Sequence, residues 1–186
     1  MQVKTISEIE IEPITVDQVK NYLKIDESIE VEDALISSMI KAARQLCEKK
    51  TNLSFIDKQL EAVFEYDELI EVSFRLPYSP HYEIVSIHLM DEYGDETELE
   101  NTLYWSSKGN IWEVTINPSV NIFKQARINY KAGFGVDGKT EALPEQAVIA
   151  ILKQVGSWYD NRGDYIPTLS SDVRRILESI SLTPWF

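Results

Sequence analysis

The spacing of apolar residues changes twice along this chain, and that change constrains the fold more than any other feature. Over about residues 31–50, apolar side chains recur every three or four positions, as on one face of a helix. Over about residues 58–131 they alternate with polar ones, as in strands with one wet face. Helical spacing returns from about residue 144. The pattern predicts an α+β protein, a small bundle of about four helices interrupted by an inserted, mainly antiparallel β sub-domain of five to seven strands.

Signals at helix ends support four helices. Thr15 and Gln18 have the spacing of a capping box, Asn52 can take the left-handed conformation that ends a helix, and Pro144 suits a first helical turn. The predicted helices run from Val16 to about Lys24, over about residues 31–50, from near Pro144 to the Asn161-Arg162-Gly163 stretch, and onward after Ser170 or Ser171. We expect the helices of segments 1–57 and 136–186 to pack as one core, with segment 58–135 as the β insertion.

Acidic residues dominate the charge, and most of the excess lies in one stretch. The 186 residues include 31 Asp and Glu against 18 Lys and Arg, a net charge of −13. Residues 65–100 hold eleven acids and one base, whereas residues 101–139 are mildly basic. This balance argues against a protein that grips nucleic acid through its phosphates or docks on an anionic membrane. The acidic stretch is either a solvated sheet face or a surface that repels nucleic acid or binds a basic partner.

Candidate catalytic and metal-binding residues do not form a recognisable site in the sequence. Residues 133–138 match G-x-G-x-x-G, but the next predicted helix begins too far downstream for a dinucleotide site. His81 and His88 are the only histidines, and no cysteine lies near them. Cys47, the only cysteine, lies on an apolar helix face, which predicts a buried structural thiol. We therefore predict no enzyme activity, no cofactor and no metal.

Three groups of short motifs follow one another along nearly the whole chain. They are T-V-D-Q-V-K-N-Y-L-K-I-D at 15–26 with E-D-A-L-I and I-K-A-A-R behind it, I-N-Y-K-A-G-F-G at 128–135 leading to L-P-E at 143–145, and W-Y-D-N-R at 158–162. In this order and spacing they resemble the head–tail connector proteins of long-tailed bacteriophages, in particular the longer subfamily with a β insertion. The chain departs from that pattern after residue 162, where a further helix follows, and its β insertion has no counterpart residue by residue.

The resemblance implies a structural virion protein at the head–tail junction. Such a protein is made in the bacterial host, from a phage or prophage, and assembles as a ring of twelve copies on the portal. The ring extends the DNA channel toward the tail, where a tail-side completion protein is the next partner. The resemblance further implies that genomic DNA passes without specific binding, with no membrane, enzymatic activity or cofactor involved.

Aromatic residues near the end of the sequence are the first candidate contacts of such an assembly. They lie outside the clear helical stripes, and aromatic side chains are favoured anchors at protein interfaces. Either this tail docks on a neighbouring subunit or the portal, or it folds back onto its own core. The residues predicted to bind the portal are Leu182, Pro184, Trp185 and Phe186.

Residues of two helices and a group of acids are the other candidate sites of the assembly. The second and third helices are predicted to form both the subunit core and the contact between subunits. The residues assigned to that contact are Arg44, Trp158, Tyr159 and Arg162. Carboxylates that face a channel would repel passing DNA, and the acids assigned to that face are Asp91, Glu92, Asp95 and Glu96.

An alternative function remains compatible with the acidic composition. An acidic binding module or DNA mimic would inhibit a basic partner protein by presenting carboxylates spaced like phosphates. That class predicts a compact monomer or dimer, whereas a connector predicts a ring on a portal.

Overall fold

The structure, a computed structural model, describes residues 1–26, 28–65, 73–120, 123–161 and 168–182. Within those ranges it contains eight strands and four helices, which confirms the predicted α+β class. The strands are β1 (Gln2–Glu8), β2 (Lys58–Glu65), β3 (Ser73–Arg75), β4 (His81–Met90), β5 (Glu96–Glu98), β6 (Tyr104–Ser107), β7 (Glu113–Ile116) and β8 (Gln125–Ala132). The helices are α1 (Val16–Leu23), α2 (Asp33–Thr51), α3 (Glu145–Asp160) and α4 (Ser171–Glu178).

The chain divides into two compact units, each built from two stretches of sequence. The β unit comprises Met1–Ile9 and Asp57–Glu141, and the helical unit comprises Glu10–Ile56 and Ala142–Phe186. The predicted segments 1–57, 58–135 and 136–186 therefore differ from this division at their edges. The first nine residues belong with the strands, and the β unit extends to Glu141.

The β unit contains two antiparallel sheets. One has the strand order β1-β2-β8-β4-β5 and the other the order β3-β7-β6. Strand β8 lies at the centre of the larger sheet, where Tyr130 is aligned with both Leu60 of β2 and Ile84 of β4. Alternate residues of β8 are buried, as its sequence pattern predicts. These side chains form one apolar core with Val114 and Ile116 of the smaller sheet.

Irregular pairing explains where the strand prediction was incomplete. In β1 the register shifts between Thr5 and Ser7, so Ile6 interrupts a period-two pattern and the segment does not look like a strand. In β4 the sequence predicts that Val85, Ile87 and Leu89 share the buried face. Ile87 and Leu89 are buried, whereas the register shift between Ile84 and Ser86 leaves Val85 exposed. The alternation of Ile70 and Val72 with Glu71 and Ser73 also predicts a strand, but Ile70 and Val72 lie outside the described residues.

The helical unit begins and ends its helices largely as the sequence predicts. Thr15 and Gln18 form the capping box of α1, with side chain and backbone bonded in both directions. Asn52 ends α2 in the left-handed conformation, and the Ser170 hydroxyl caps α4. Pro144 takes the cap position of α3 rather than its first helical turn. None of the helices in the described ranges is long and apolar enough to span a membrane.

A glycine on α3 permits close packing of α1. A Cβ atom added at Gly156 would lie 3.0 Å from Cε1 of Tyr22 and 3.5 Å from Cδ2 of Leu23. Gly156 itself is buried, whereas Tyr22 remains about half exposed. The absence of a side chain at Gly156 therefore places the Tyr22 ring directly against the last part of α3.

Candidate functional site

Arg44 lies inside the helical unit and holds two segments against α2. Its guanidinium is fully buried and donates to both carboxylate oxygens of Glu12, with Nε–Oε2 at 2.7 Å and Nη2–Oε1 at 3.1 Å. It also pairs with Glu48 one turn later, Nη1 to Oε2 at 2.9 Å. The other oxygen of Glu48 accepts the backbone N–H of Phe55 at 2.8 Å. This buried network ties the segment before α1 and the loop after α2 to the same helix.

Trp158 and Tyr159, both predicted at the subunit contact, differ in exposure. Trp158 is buried, whereas Tyr159 is half-buried and its hydroxyl donates to a carboxylate oxygen of Glu32. Arg44 and Trp158 thus have almost no surface to offer a neighbouring subunit. Their predicted place at the subunit contact is corrected here, because burial gives both side chains an internal, supporting role. The predicted contact then rests on Tyr159 and on Arg162, which lies outside the described residues.

The predicted channel acids lie at the tip of the β4–β5 hairpin and have unequal roles. Asp91 is structural, because its Oδ1 accepts the backbone N–H groups of Tyr93 at 2.8 Å and Asp95 at 3.0 Å. Glu96 pairs with Arg127, Oε1 to Nη2 at 2.8 Å. Glu92 and Asp95 are exposed beside the Tyr93 side chain. The hairpin therefore presents carboxylates on a turn that its own acids help to hold.

The predicted tail is described only at its first residue. Leu182 is half-buried, and its backbone N–H donates to the carbonyl of Thr51 at the end of α2. Pro184, Trp185 and Phe186 lie outside the described residues. The chain is thus fixed to its own helical unit up to Leu182.

His81 and Cys47 are buried in separate units. Burial lowers the pKa of His81 to about 4, against hydrogen bonds to the carbonyls of Pro77 and Leu76. Burial, with the nearby Glu48 charge, raises the pKa of the Cys47 thiol to about 12, which suits a structural thiol and not a nucleophile. Over the ranges that the structure describes, no group of three or more His, Cys, Asp or Glu side chains could hold a metal ion.

The glycine-rich segment forms a loop after the last strand. Gly135 and Gly138 have φ values of +70° and +66°, in the region that favours glycine. The Gly135 N–H donates to the carbonyl of Glu141 at 2.7 Å, and the Val136 N–H donates to the hydroxyl of Thr140. The hydrogen bonds close the loop on itself, as expected for a turn where β8 leaves the sheet.

One exposed apolar surface was missed by the sequence analysis. Val31 is 88% exposed, and Ile29, Leu35 and Tyr22 are each more than 40% exposed. We call Tyr22 together with residues 28–35 the α1–α2 corner. The helical spacing of α2 predicts Leu35 at the edge of the buried stripe, next to Ile36, but the structure leaves Leu35 exposed. A signal was available in Ile29 and Val31, two β-branched residues with no place in either helical stripe.

Solved structures from gene transfer agent (GTA) particles share this fold over the whole chain. They come from the neck of an empty GTA particle computed with C6 symmetry (TM-score 0.79), the virion of a native GTA particle (0.77), and the neck of a native GTA particle computed with C12 symmetry (0.74). Each is 18% identical, and each match covers 100% of this chain and 98% of the solved chain. At this identity the likeness shows a shared fold. No curated protein sequence matches the chain significantly.

A protein family also matches most of the sequence. The match to the family HCP, head completion protein, extends over residues 12–165 and so includes α1, α2, α3 and the described strands from β2 to β8. It confirms the resemblance seen in the ordered motifs. The chain belongs to the head completion protein family.

Proposed function

We propose that this protein is a structural connector that assembles as a ring on the portal and extends the DNA channel toward the tail. The observation that carries the proposal is the head completion family match over residues 12–165. The full-length likeness to chains from two structures of the GTA neck supports it. The partners are other copies of the chain, the portal protein and a tail-side completion protein, with DNA passing unbound.

We infer a ring of twelve subunits. The support is the C12 symmetry with which one GTA neck was computed, and C6 symmetry is compatible with the same number. The helical unit supplies a rigid body for such a ring, because the Arg44 network ties its segments together. Tyr159 and Arg162 are the family-motif residues that we place nearest to the subunit contact.

Electron microscopy of the purified protein, alone and mixed with its portal, tests this function. The expected result is a twelve-fold ring seated on the tail-facing side of the portal. A monomer in the absence of portal agrees with the proposal, because some assembly proteins oligomerise only on a partner. A protein that leaves the portal bare and instead binds a basic host protein would support the acidic module.

Removing residues 183–186 is expected to weaken portal binding while leaving the helical unit folded. The truncated chain keeps the hydrogen bond from the Leu182 N–H to the Thr51 carbonyl, so the free energy of unfolding should change by less than about 0.5 kcal/mol. Loss of an aromatic anchor of about 2 kcal/mol corresponds to roughly 30-fold weaker binding. Sedimentation with portal measures the affinity, and thermal unfolding measures the stability. Unchanged affinity would contradict portal docking, and a large loss of stability would show that the tail packs on its own core.

Neutralising exposed hairpin acids is expected to slow the passage of DNA several-fold. The variant Glu92→Gln/Asp95→Asn/Glu98→Gln/Glu100→Gln removes four exposed carboxylates and keeps Asp91 and Glu96, which hold the turn and pair with Arg127. A channel wall with fewer negative charges should retain DNA longer. DNA ejection from particles carrying the variant gives the rate.

A matched control variant separates the effect of where the acids lie from the effect of lowering the net charge of the protein. Asp17→Asn/Glu145→Gln/Asp160→Asn/Asp172→Asn removes four exposed acids from the helical unit instead. Its ejection rate should stay close to that of the unaltered protein. Equal rates for both variants and the parent would remove the channel-facing role of the hairpin.

A further inference from the structure

The α1–α2 corner presents apolar side chains to solvent at the acidic end of α2. The exposed side chains of Ile29, Val31 and Leu35 lie within seven residues of one another. Exposed apolar clusters on a folded unit mark interaction surfaces more often than isolated exposed residues do. The described acids around the corner are Asp26, Glu30, Glu32 and Asp33, and the bases are Lys20 and Lys24.

Side-chain bonds hold this corner in one conformation. The Lys20 ammonium is buried and lies 2.6 Å from Oδ1 of Asp33, and the hydrogen bond to Asp33 raises the pKa of Lys20. Glu32 accepts the hydroxyl of Tyr159 on α3, one turn beyond Gly156, where the Tyr22 ring packs. The corner is therefore a preformed surface, which lowers the entropic cost of docking.

The other end of α2 carries the opposite charge. Lys49 and Lys50 are exposed in its last turn, about 25 Å from its first residue. The Leu182 N–H donates to the carbonyl of Thr51, the last residue of α2, so the segment after α4 lies beside this end of α2. We call this surface the basic end; its exposed charged residues are Lys49, Lys50, Arg175 and Glu178, and its half-buried apolar ones are Ile180 and Leu182.

We propose that the α1–α2 corner of one subunit docks on the basic end of a second copy of this chain. The corner holds three acids, Glu30, Glu32 and Asp33, and no base, whereas the basic end has two more bases than acids. Each surface also offers apolar side chains, so charge selects the orientation and apolar burial supplies affinity. A contact between two different surfaces of the same chain is head-to-tail, and it closes into a ring when the rotation permits.

This inference rests on the proposed ring function and specifies its subunit contact. Tyr159 then supports the contact, because its hydroxyl donates to Glu32, the residue after Val31. The buried Arg44 stabilises the helix whose two ends make the contact. An isologous pairing of two corners would instead bring like charges together, which charge disfavours.

Cysteine cross-linking on the portal-bound protein tests the contact. The variant Val31→Cys/Lys50→Cys, treated with a short bis-maleimide, is expected to give a ladder of covalent oligomers beyond the dimer. Cys47 does not compete, because its thiol is buried and its pKa is raised to about 12. The single variants Val31→Cys and Lys50→Cys can form at most dimers. The control Val31→Cys/Ser37→Cys places one thiol just before α2 and the other in its first half, so neither lies at the basic end, and it should give at least tenfold less product above the dimer.

A charge swap provides a second measurement with intact folding. Glu30→Lys or Lys50→Glu alone should reduce ring assembly on the portal at least fivefold, and the combined variant should recover most of it. Rings visible on the portal without a ladder, or abundant dimers from Val31→Cys alone, would overturn the head-to-tail contact and leave the connector function standing. Absence of any ring on the portal would overturn the connector function itself.

Discussion

Replacing Arg44 with methionine is expected to lower the free energy of unfolding of the helical unit by about 3–5 kcal/mol. Methionine fills similar volume, but it leaves Glu48 buried without its cation and Glu12 without either guanidinium bond. Glu48 must still accept the N–H of Phe55, so it cannot turn out to solvent without losing that bond. Urea unfolding followed by helical circular dichroism measures the change.

Two controls separate this effect from a general effect of altering α2. Lys41→Met removes an exposed cation from the same helix and should cost less than about 0.5 kcal/mol. Arg44→Met/Glu48→Gln removes the buried charge together with its partner and should recover part of the loss. Equal stabilities for Arg44→Met and Lys41→Met would contradict the central role of this network.

Acidification from pH 6.5 to 4 is expected to destabilise the β unit by about 3 kcal/mol through His81 alone. Burial lowers the pKa of His81 to about 4, whereas the unfolded chain takes up the proton near pH 6.5. The contribution is therefore complete above pH 6.5 and is lost as the pH falls toward 4. Burial causes the shift, and Nδ1, which would carry the added proton, is buried with no hydrogen-bond partner among the described residues. The hydrogen bond from Nε2 to the Pro77 carbonyl at 2.9 Å offsets part of this effect.

The variant His81→Gln isolates this effect from carboxylates that titrate in the same range. Glutamine retains a donor for the Pro77 carbonyl but has no proton to gain. Unfolding curves at several pH values, followed by tryptophan fluorescence, to which the buried Trp112 of the β unit contributes, compare the two proteins. The stability advantage of the parent over the variant should shrink by about 3 kcal/mol between pH 7 and 4. If the stabilities of the parent and the variant fall equally with pH, His81 takes up its proton equally in the folded and unfolded states.

The predicted site residues show where sequence reasoning succeeds and where it stops. The motif W-Y-D-N-R correctly marked the end of α3. Its spacing does not reveal that Trp158 is buried or that the Tyr159 hydroxyl donates to Glu32. Arg44 belongs to a family motif and carries a charge, which favours a surface position. Only its partners, Glu12 and Glu48, make complete burial possible.

Local patterns in the sequence determined the elements of this protein. Capping chemistry at Thr15 and Ser170, the stripe of α2 and the alternation in β8 depend on neighbours within a few residues, so they can be recognised without the fold. The order of the motifs indicated the family for the same reason, since it is a property of the linear chain.

Tertiary structure alone decided which distant residues meet. It joined β1 to β2 across the first two helices, and it brought the carboxylates of Glu12 and Glu48 to one guanidinium. It also left Val31 and Leu35 exposed beside an acidic turn, which makes the corner a surface. These arrangements arise because pairing and packing energies depend on long-range contacts that no short window of sequence contains.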